Sequence, residues 1–183
     1  MNSIDLQKFI DTHSIEAVIL PMDAHTPTVT DAARALGVRA EQVIISLVFM
    51  VKNEPVLAIN NGQARVDRRK IAEHLGVGRG RVKFASVDRA AEVTGFIVGS
   101  MPPFGHRTRM RTLVDQAILE LDEIFGGGGA IDAMMRLTPS ELVRVTTPEI
   151  LPLSNQEARQ QPASVLRLRE GSDSNPTAKE TSR

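Results

Sequence analysis

Between Thr94 and His106 the chain reads Thr-Gly-Phe-Ile-Val-Gly-Ser-Met-Pro-Pro-Phe-Gly-His, and no other stretch restricts the fold as much. Pro102 and Pro103 cannot continue a helix or donate to a strand ladder, and they bias the residue before them towards extended backbone. Gly95, Gly99 and Gly105 punctuate the same thirteen residues, so the segment has to be a rigid loop between regular elements. With no N–H on the two prolines, the donors available in the bend are the amides of Gly99, Ser100 and Met101, followed by Phe104 and Gly105. Consecutive amides on a stiff bend suit a carbonyl or carboxylate oxygen. A plain tight connection is the alternative that composition leaves open.

The segments on either side alternate between helical and strand patterns. Ser3 to about His13 reads as an amphipathic helix with Ser3 as N-cap and Ile4, Phe9 and Ile10 on its apolar side. Ala17–Leu20 reads as a strand, and His25–Val38 as a capped helix closed by Gly37. An Ala-Ala-Arg-x-Leu-Gly-Val run also occurs in helix-turn-helix proteins, but the β-branched and aromatic residues from Ile44 to Val51, the turn at Asn53-Glu54 and the return from Pro55 to Asn60 predict a strand hairpin instead. DNA reading by this segment is therefore set aside. Asp67 caps a helix through Leu75, Val82–Phe84 is a strand, and Ser86 caps a helix that runs into the central loop. Thr112–Asp115 is a strand and Ala117–Leu121 a short helix. Gly126–Gly129 reads as a flexible turn, because the run lacks the lysine and hydroxyl residue of a P-loop. Ala133–Leu137 and Glu149–Leu151 are strands on either side of a helix that starts at Thr138-Pro139-Ser140-Glu141.

These elements predict one domain over 1–153 and a polar tail over 154–183, disordered from about residue 171. The 183 residues contain no cysteine, which excludes a thiol nucleophile, disulfides and thiolate metal sites. The four histidines share no ligand spacing, so neither a metal nor any other cofactor is expected. No apolar run approaches the roughly 20 residues of a membrane span, and Met1–Asp5 lacks the start of a secretory signal, so no membrane partner and a cytoplasmic location are expected. Formal net charge is zero, yet seven basic residues stand against two acidic ones between Arg65 and Lys83. Arg68, Arg69, Lys70, Arg79 and Arg81 from this stretch, with Arg107 after the central loop, are the candidate phosphate contacts. Oligomeric state has no signature in the sequence.

Taken in order, Thr28–Ala33, Ser46–Phe49, Arg65-Val66-Asp67, Thr94-Gly95-Phe96 with its loop, and Thr138–Leu142 resemble the YbaK-type aminoacyl-tRNA deacylases, freestanding relatives of the editing domain inserted in bacterial prolyl-tRNA synthetase. The Gly99–Pro103 segment matches that family's Gly-x-x-x-Pro loop. The resemblance spans about His25 to Leu153. It implies an α+β fold with a mixed, strongly curved sheet, a partial barrel, and helices packed outside.

What the resemblance implies for function is hydrolysis of the ester on a mischarged tRNA, of the tRNA(Pro) type above all, with the 3′ aminoacyl end of tRNA as partner and an aminoacyl-tRNA synthetase as a further one. Gly99, Ser100 and Met101 would steady the developing oxyanion; Ser100 as a nucleophile has no His/Asp pair to support it. His25, Ile45, Ser46 and Phe49 would line the substrate pocket, and Pro102, Pro103, Phe104 and His106 would shape it from the loop side, His106 with proton shuttling as its other reading. One departure stands out: the family's lysine before the Ser/Thr/Asn-Leu pair is replaced by Ile45, next to Ser46. A charged donor is thereby lost, worth roughly 1.5–3 kcal/mol. A catalytically silent module that binds a tRNA end, a synthetase or a small ligand is the competing expectation.

Overall fold

The computed structural model describes residues 1–23 and 25–154; the expected tail, from residue 155 on, lies outside them. Helix α1 (Ser3–Thr12) leads into strand β1 (Ala17–Pro21) and helix α2 (Val29–Leu36), followed by strands β2 (Ile44–Val51) and β3 (Glu54–Asn61). Then come α3 (Arg68–His74), β4 (Val82–Phe84), α4 (Val87–Thr94), β5 (Arg111–Asp115), β6 (Ile124–Gly127), β7 (Ala133–Leu137), α5 (Pro139–Thr146) and β8 (Glu149–Leu151). No helix among the described residues is long and apolar enough to cross a membrane.

Strand order is β4-β2-β3-β5-β8 in one sheet and β1-β7-β6 in the other. The larger sheet is mixed: β2 pairs antiparallel with β3 and β4, while β5 runs parallel to both β3 and β8. A parallel bridge between Val43 and Phe125 joins the two sheets. The architecture is α+β with mixed sheets, and no strand pairing closes a barrel among the described residues.

β2 is apolar at every position but Ser46 because both of its faces are covered. Ile44 and Val48 face the main core with Leu6, Ile10, Leu57, Ile59, Phe96 and Met135. Phe49 and Val51 face a second core under α3, with Ile71, Val82 and Leu113. The hairpin turn is Lys52-Asn53, both left-handed (φ 51° and 74°), the backbone of a two-residue turn that matches strand twist. It lies one residue earlier than the sequence suggests.

Other local expectations also shift. Asn2, not Ser3, caps α1, its side chain accepting from the amides of Ile4 and Asp5 while Asp5 reaches back to the Asn2 amide. The apolar side follows Leu6 and Ile10, and Ile4 is exposed. Ser3, freed from capping, donates its hydroxyl to the Gly128 carbonyl at 2.7 Å. The glycine run is no flexible turn: Gly126 and Gly127 are the end of β6, paired with Met135 and Met134.

Candidate active site

Helix α4 stops at Gly95, which takes the left-handed conformation (φ 81°) and donates to Ala91. Buried Thr94 donates its hydroxyl to the Ala90 carbonyl and accepts from the Phe96 amide, holding the exit from the helix. Phe96 is fully buried, whereas Ile97, Val98 and Gly99 emerge at the surface. The chain then turns back: the Ser100 amide donates to the Ile97 carbonyl at 3.1 Å, and Gly99 supplies the φ of 98° that this turn requires.

Beyond the turn the loop lies on the glycine run. Gly129 donates its amide to the Ser100 carbonyl at 3.0 Å. A methyl group at Gly127 would press hardest on the Met101 carbonyl oxygen and sit 2.7 Å from the Ser100 oxygen, too close for a real contact. At Gly126 it would touch Pro103 at 3.4 Å. The two unusual stretches of the sequence are thus one unit, with the glycine strand as the bed on which the Gly/Pro loop rests. Sequence spacing carries no sign of this pairing, because it depends on β6 meeting the loop across the fold.

On the outer side of this unit is a cleft of about 160 Å³ between the loop, the start of β2 and the start of α2. Gly99, Met101 and Gly127 form one wall; Ile44, Ile45 and Ser46 form the floor; Thr26, Pro27 and Val29 close the other side. None of the described residues lining it is ionisable. Among the described residues the amides of Gly99 and Met101 donate to no protein acceptor, and neither do the hydroxyls of Thr26 and Ser46. Thr28, by contrast, is committed to capping α2.

Of the sequence candidates, Gly99, Met101, Ile45 and Ser46 meet at this cleft. Ser100 does not serve as a donor to it: its amide and its hydroxyl both go to the Ile97 carbonyl, and the residue is 1% exposed. Phe49 is not a pocket wall, since it lies four residues along β2 from Ile45, fully buried in the second core with its ring tilted against Phe84 at 4.4 Å. Pro102, Pro103 and Phe104 are buried behind the loop, Phe104 stacked at 6.0 Å on Phe9, and none of them lines the cleft.

His106 also lies behind the loop, where one ring nitrogen, Nε2, is 2.9 Å from the Pro102 carbonyl. Burial pulls its imidazole down to about 4, against a smaller opposing effect of that carbonyl. It is therefore neutral near pH 7 and pins the bend by donating to Pro102, which argues against proton shuttling. His25 is exposed beside Thr26 without lining the cleft.

The basic candidates are not gathered at the cleft. Arg68 and Arg69 lie exposed on α3, Arg79 and Arg81 on a short 3-10 turn, and Lys70 donates to the Ser154 carbonyl at 2.6 Å. Arg107 is exposed behind the loop, its amide bonded to Thr94. Sequence reasoning missed Thr26, Val29 and Gly127. The signals for them were the residues leading into the Thr28 cap and a glycine run whose strand pairing was not legible.

Residues 23–145, more than half of the chain, match the family model described as the aminoacyl-tRNA editing domain. The chain is 29% identical over 118 residues to the multifunctional Ser/Thr-tRNA deacylase ProXp-y of Escherichia coli, an alignment covering 64% of this chain and 70% of that protein. It is 28% identical over 109 residues to a proline–tRNA ligase of Citrifermentans bemidjiense, covering 60% of this chain and 19% of the ligase. Among solved structures, one described as "a putative trans-editing enzyme for prolyl tRNA synthetase" superposes with a TM-score of 0.79 at 28% identity, over 84% of this chain and 96% of the other.

Proposed function

The chain belongs to the aminoacyl-tRNA editing domain family, and from that premise we propose that it is a trans-editing deacylase, which hydrolyses the ester between a wrongly attached amino acid and the terminal ribose of a tRNA. The observation that carries this reading is the pair of unpaired amides at Gly99 and Met101 on a loop held rigid over a cleft. As water attacks the ester carbonyl, negative charge develops on its oxygen, and preorganised amides steady that charge without reorganising. Removing one such donor typically costs about 100- to 1,000-fold in turnover. Ser100 is not the nucleophile, because its hydroxyl is turned to Ile97. With no ionisable side chain among the described residues of the cleft, a hydroxyl of the substrate takes part, as the family resemblance implies, relaying the proton of the attacking water to the ribose oxygen that leaves as the ester bond breaks.

The apolar floor and the Ser46 and Thr26 hydroxyls favour a small, uncharged aminoacyl group. The relatives named for prolyl-tRNA synthesis favour tRNA(Pro)-type substrates and a synthetase as partner. The same reading takes 1–153 as one editing domain acting in the cytoplasm. It takes the two sheets as a partial barrel, supported by the Val43–Phe125 bridge between them.

The test is incubation with a set of mischarged tRNAs, including seryl-, threonyl-, alanyl- and cysteinyl-tRNA, with release expected well above spontaneous hydrolysis for at least one. No release for any of them would overturn the reading. A second reading, a silent binding module, is favoured by Ile45 on the cleft floor where the family's lysine stands. Activity gained by Ile45→Lys in a protein that otherwise shows none would select it.

A further inference from the structure

At the far end of β2 from the cleft is a second depression, an open trough of about 520 Å³ lined by Met50, Lys52, Asn53, Gly78, Arg81 and Lys83. Three of these side chains are cationic and none is acidic. All three cations are exposed. Lys52, Arg79, Arg81 and Lys83, like Arg68, Arg69, Arg107 and Arg109, take part in no ion pair among the described residues, whereas Arg34, Arg39, Arg89, Arg111, Arg136 and Arg144 each pair with a carboxylate. On a chain of zero formal net charge this is a concentrated positive pole without internal neutralisation.

The backbone around the cations is shaped for approach. Lys52 is carried on the left-handed hairpin turn, which projects it beyond the end of the sheet. Methyl groups added at Gly78 and Gly80 would meet nothing within 4 Å, so the wall between Arg79 and Arg81 is bare main chain. Lys83 is the register partner of Met50 on β4, the edge strand. Because side chains alternate along a strand, Met50 shares its face of β2 with Ile44 and Ser46 of the cleft floor, and Lys52 follows at the turn. Lys52 is seven residues from Ile45, about 23 Å at the usual strand rise.

We propose that this trough, formed by Lys52, Arg81 and Lys83, is a phosphodiester-binding site that holds the duplex backbone of the RNA whose 3′ end enters the cleft. Identification of the polyanion as RNA rests on the deacylase reading above. A single phosphate gains little from exposed cations in high dielectric, whereas a polymer engages several at once and releases its condensed counterions. The guanidinium of Arg81 adds a two-pronged match to phosphate oxygens, and the lysines act as point charges on either side. RNA stems are A-form, and the separation from the cleft is short against the roughly 16 base pairs that a duplex-binding module covers, so one stem can span both.

Fluorescence anisotropy with a labelled uncharged 12-base-pair RNA hairpin, at 50 and 200 mM salt, tests the trough without any chemistry. Three neutralised phosphates at a slope of about 0.9 each correspond to a roughly 40-fold weakening of wild-type binding over that range. The Lys52→Asn/Arg81→Gln/Lys83→Gln variant, checked for an unchanged melting temperature, is expected to lose that part of the salt dependence. It is also expected to hydrolyse mischarged tRNA with a higher KM while cleaving 3′-aminoacyl-adenosine as the wild type does. Equal salt slopes for variant and wild type, no hairpin binding at 50 mM salt, or displacement of the hairpin by poly-glutamate as readily as by RNA would each overturn the proposal. A difference in slope in a protein that cleaves no aminoacyl ester would refute the deacylase reading and leave the trough standing as an RNA site.

Discussion

Replacing Gly127 by alanine strikes the contact between the glycine strand and the loop at the wall of the cleft, from behind the loop's main chain. The new methyl would lie 2.7 Å from the Ser100 carbonyl oxygen, and the obstruction is main chain, which cannot rotate away as a side-chain tip can. The nearest obstruction is the Met101 carbonyl oxygen, and reaching an ordinary contact of 3.4 Å from it requires the loop to retreat by about 1 Å. Overpacking of this kind costs about 1–3 kcal/mol, and a misplacement near 1 Å of a group that positions the reacting atoms costs about 100-fold. The expected result is a kcat/KM for mischarged tRNA lower by about two powers of ten and a Tm lower by a few degrees to about ten. Gly126→Ala is the internal comparison. Its methyl meets only side-chain atoms, Ile44 at 3.3 Å and Pro103 at 3.4 Å, so its loss of activity should be less than a tenth as large. Wild-type activity in Gly127→Ala, or equal losses in the two variants, would refute the docking argument.

Three further outcomes follow from the same geometry. Ser100→Ala should keep deacylation within about tenfold of wild type, since both polar groups of Ser100 serve the turn, and a loss beyond 1,000-fold in rapid-quench turnover would restore the nucleophile reading. Because the folded-state pKa of His106 is depressed from 6.5 to about 4, the unfolded chain binds more protons between those values. Denaturant-derived stability should therefore be fully present above pH 6.5 and decline by at most about 3 kcal/mol as pH falls to 4, a slope that His106→Gln should remove. A separate loss belongs to Glu149, which Arg111, and less strongly His74, hold down to about 2: its contribution is present above pH 4.5, declines between 4.5 and 2, and should vanish from the acid limb in Glu149→Gln.

Much of the fold was legible because local chemistry and tertiary context agree. The Asp67, Ser86 and Thr138 caps begin their helices where the sequence places them, whereas α2 starts at Val29 after its Thr28 cap rather than at His25, and the apolar run of β2 fits a strand covered on both faces. Gly126–Gly129 misled because glycine lowers strand propensity, and here the missing side chains are demanded by the loop above them, a long-range contact that local reasoning does not register. Phe49 misled for a related reason. The resemblance locates the strand, but Phe49, on the same face as Ile45 and four residues further along, is covered by the second core under α3 rather than open to the cleft. Ser100 belonged to the right loop, yet the turn at Gly99 consumed its amide, a detail set by φ and ψ rather than by residue type.

The most direct measurement is an amide-resolved NMR titration with a phosphonate analogue of the 3′-aminoacyl ester of adenosine, whose charged oxygen mimics the tetrahedral intermediate. The account expects the Gly99 and Met101 amide protons to move downfield together on saturation as they take up the oxyanion, while Ser100, already bonded to Ile97, stays in place. Saturation of the site with Gly99 and Met101 unmoved, or with Ser100 as the amide that responds, would contradict it.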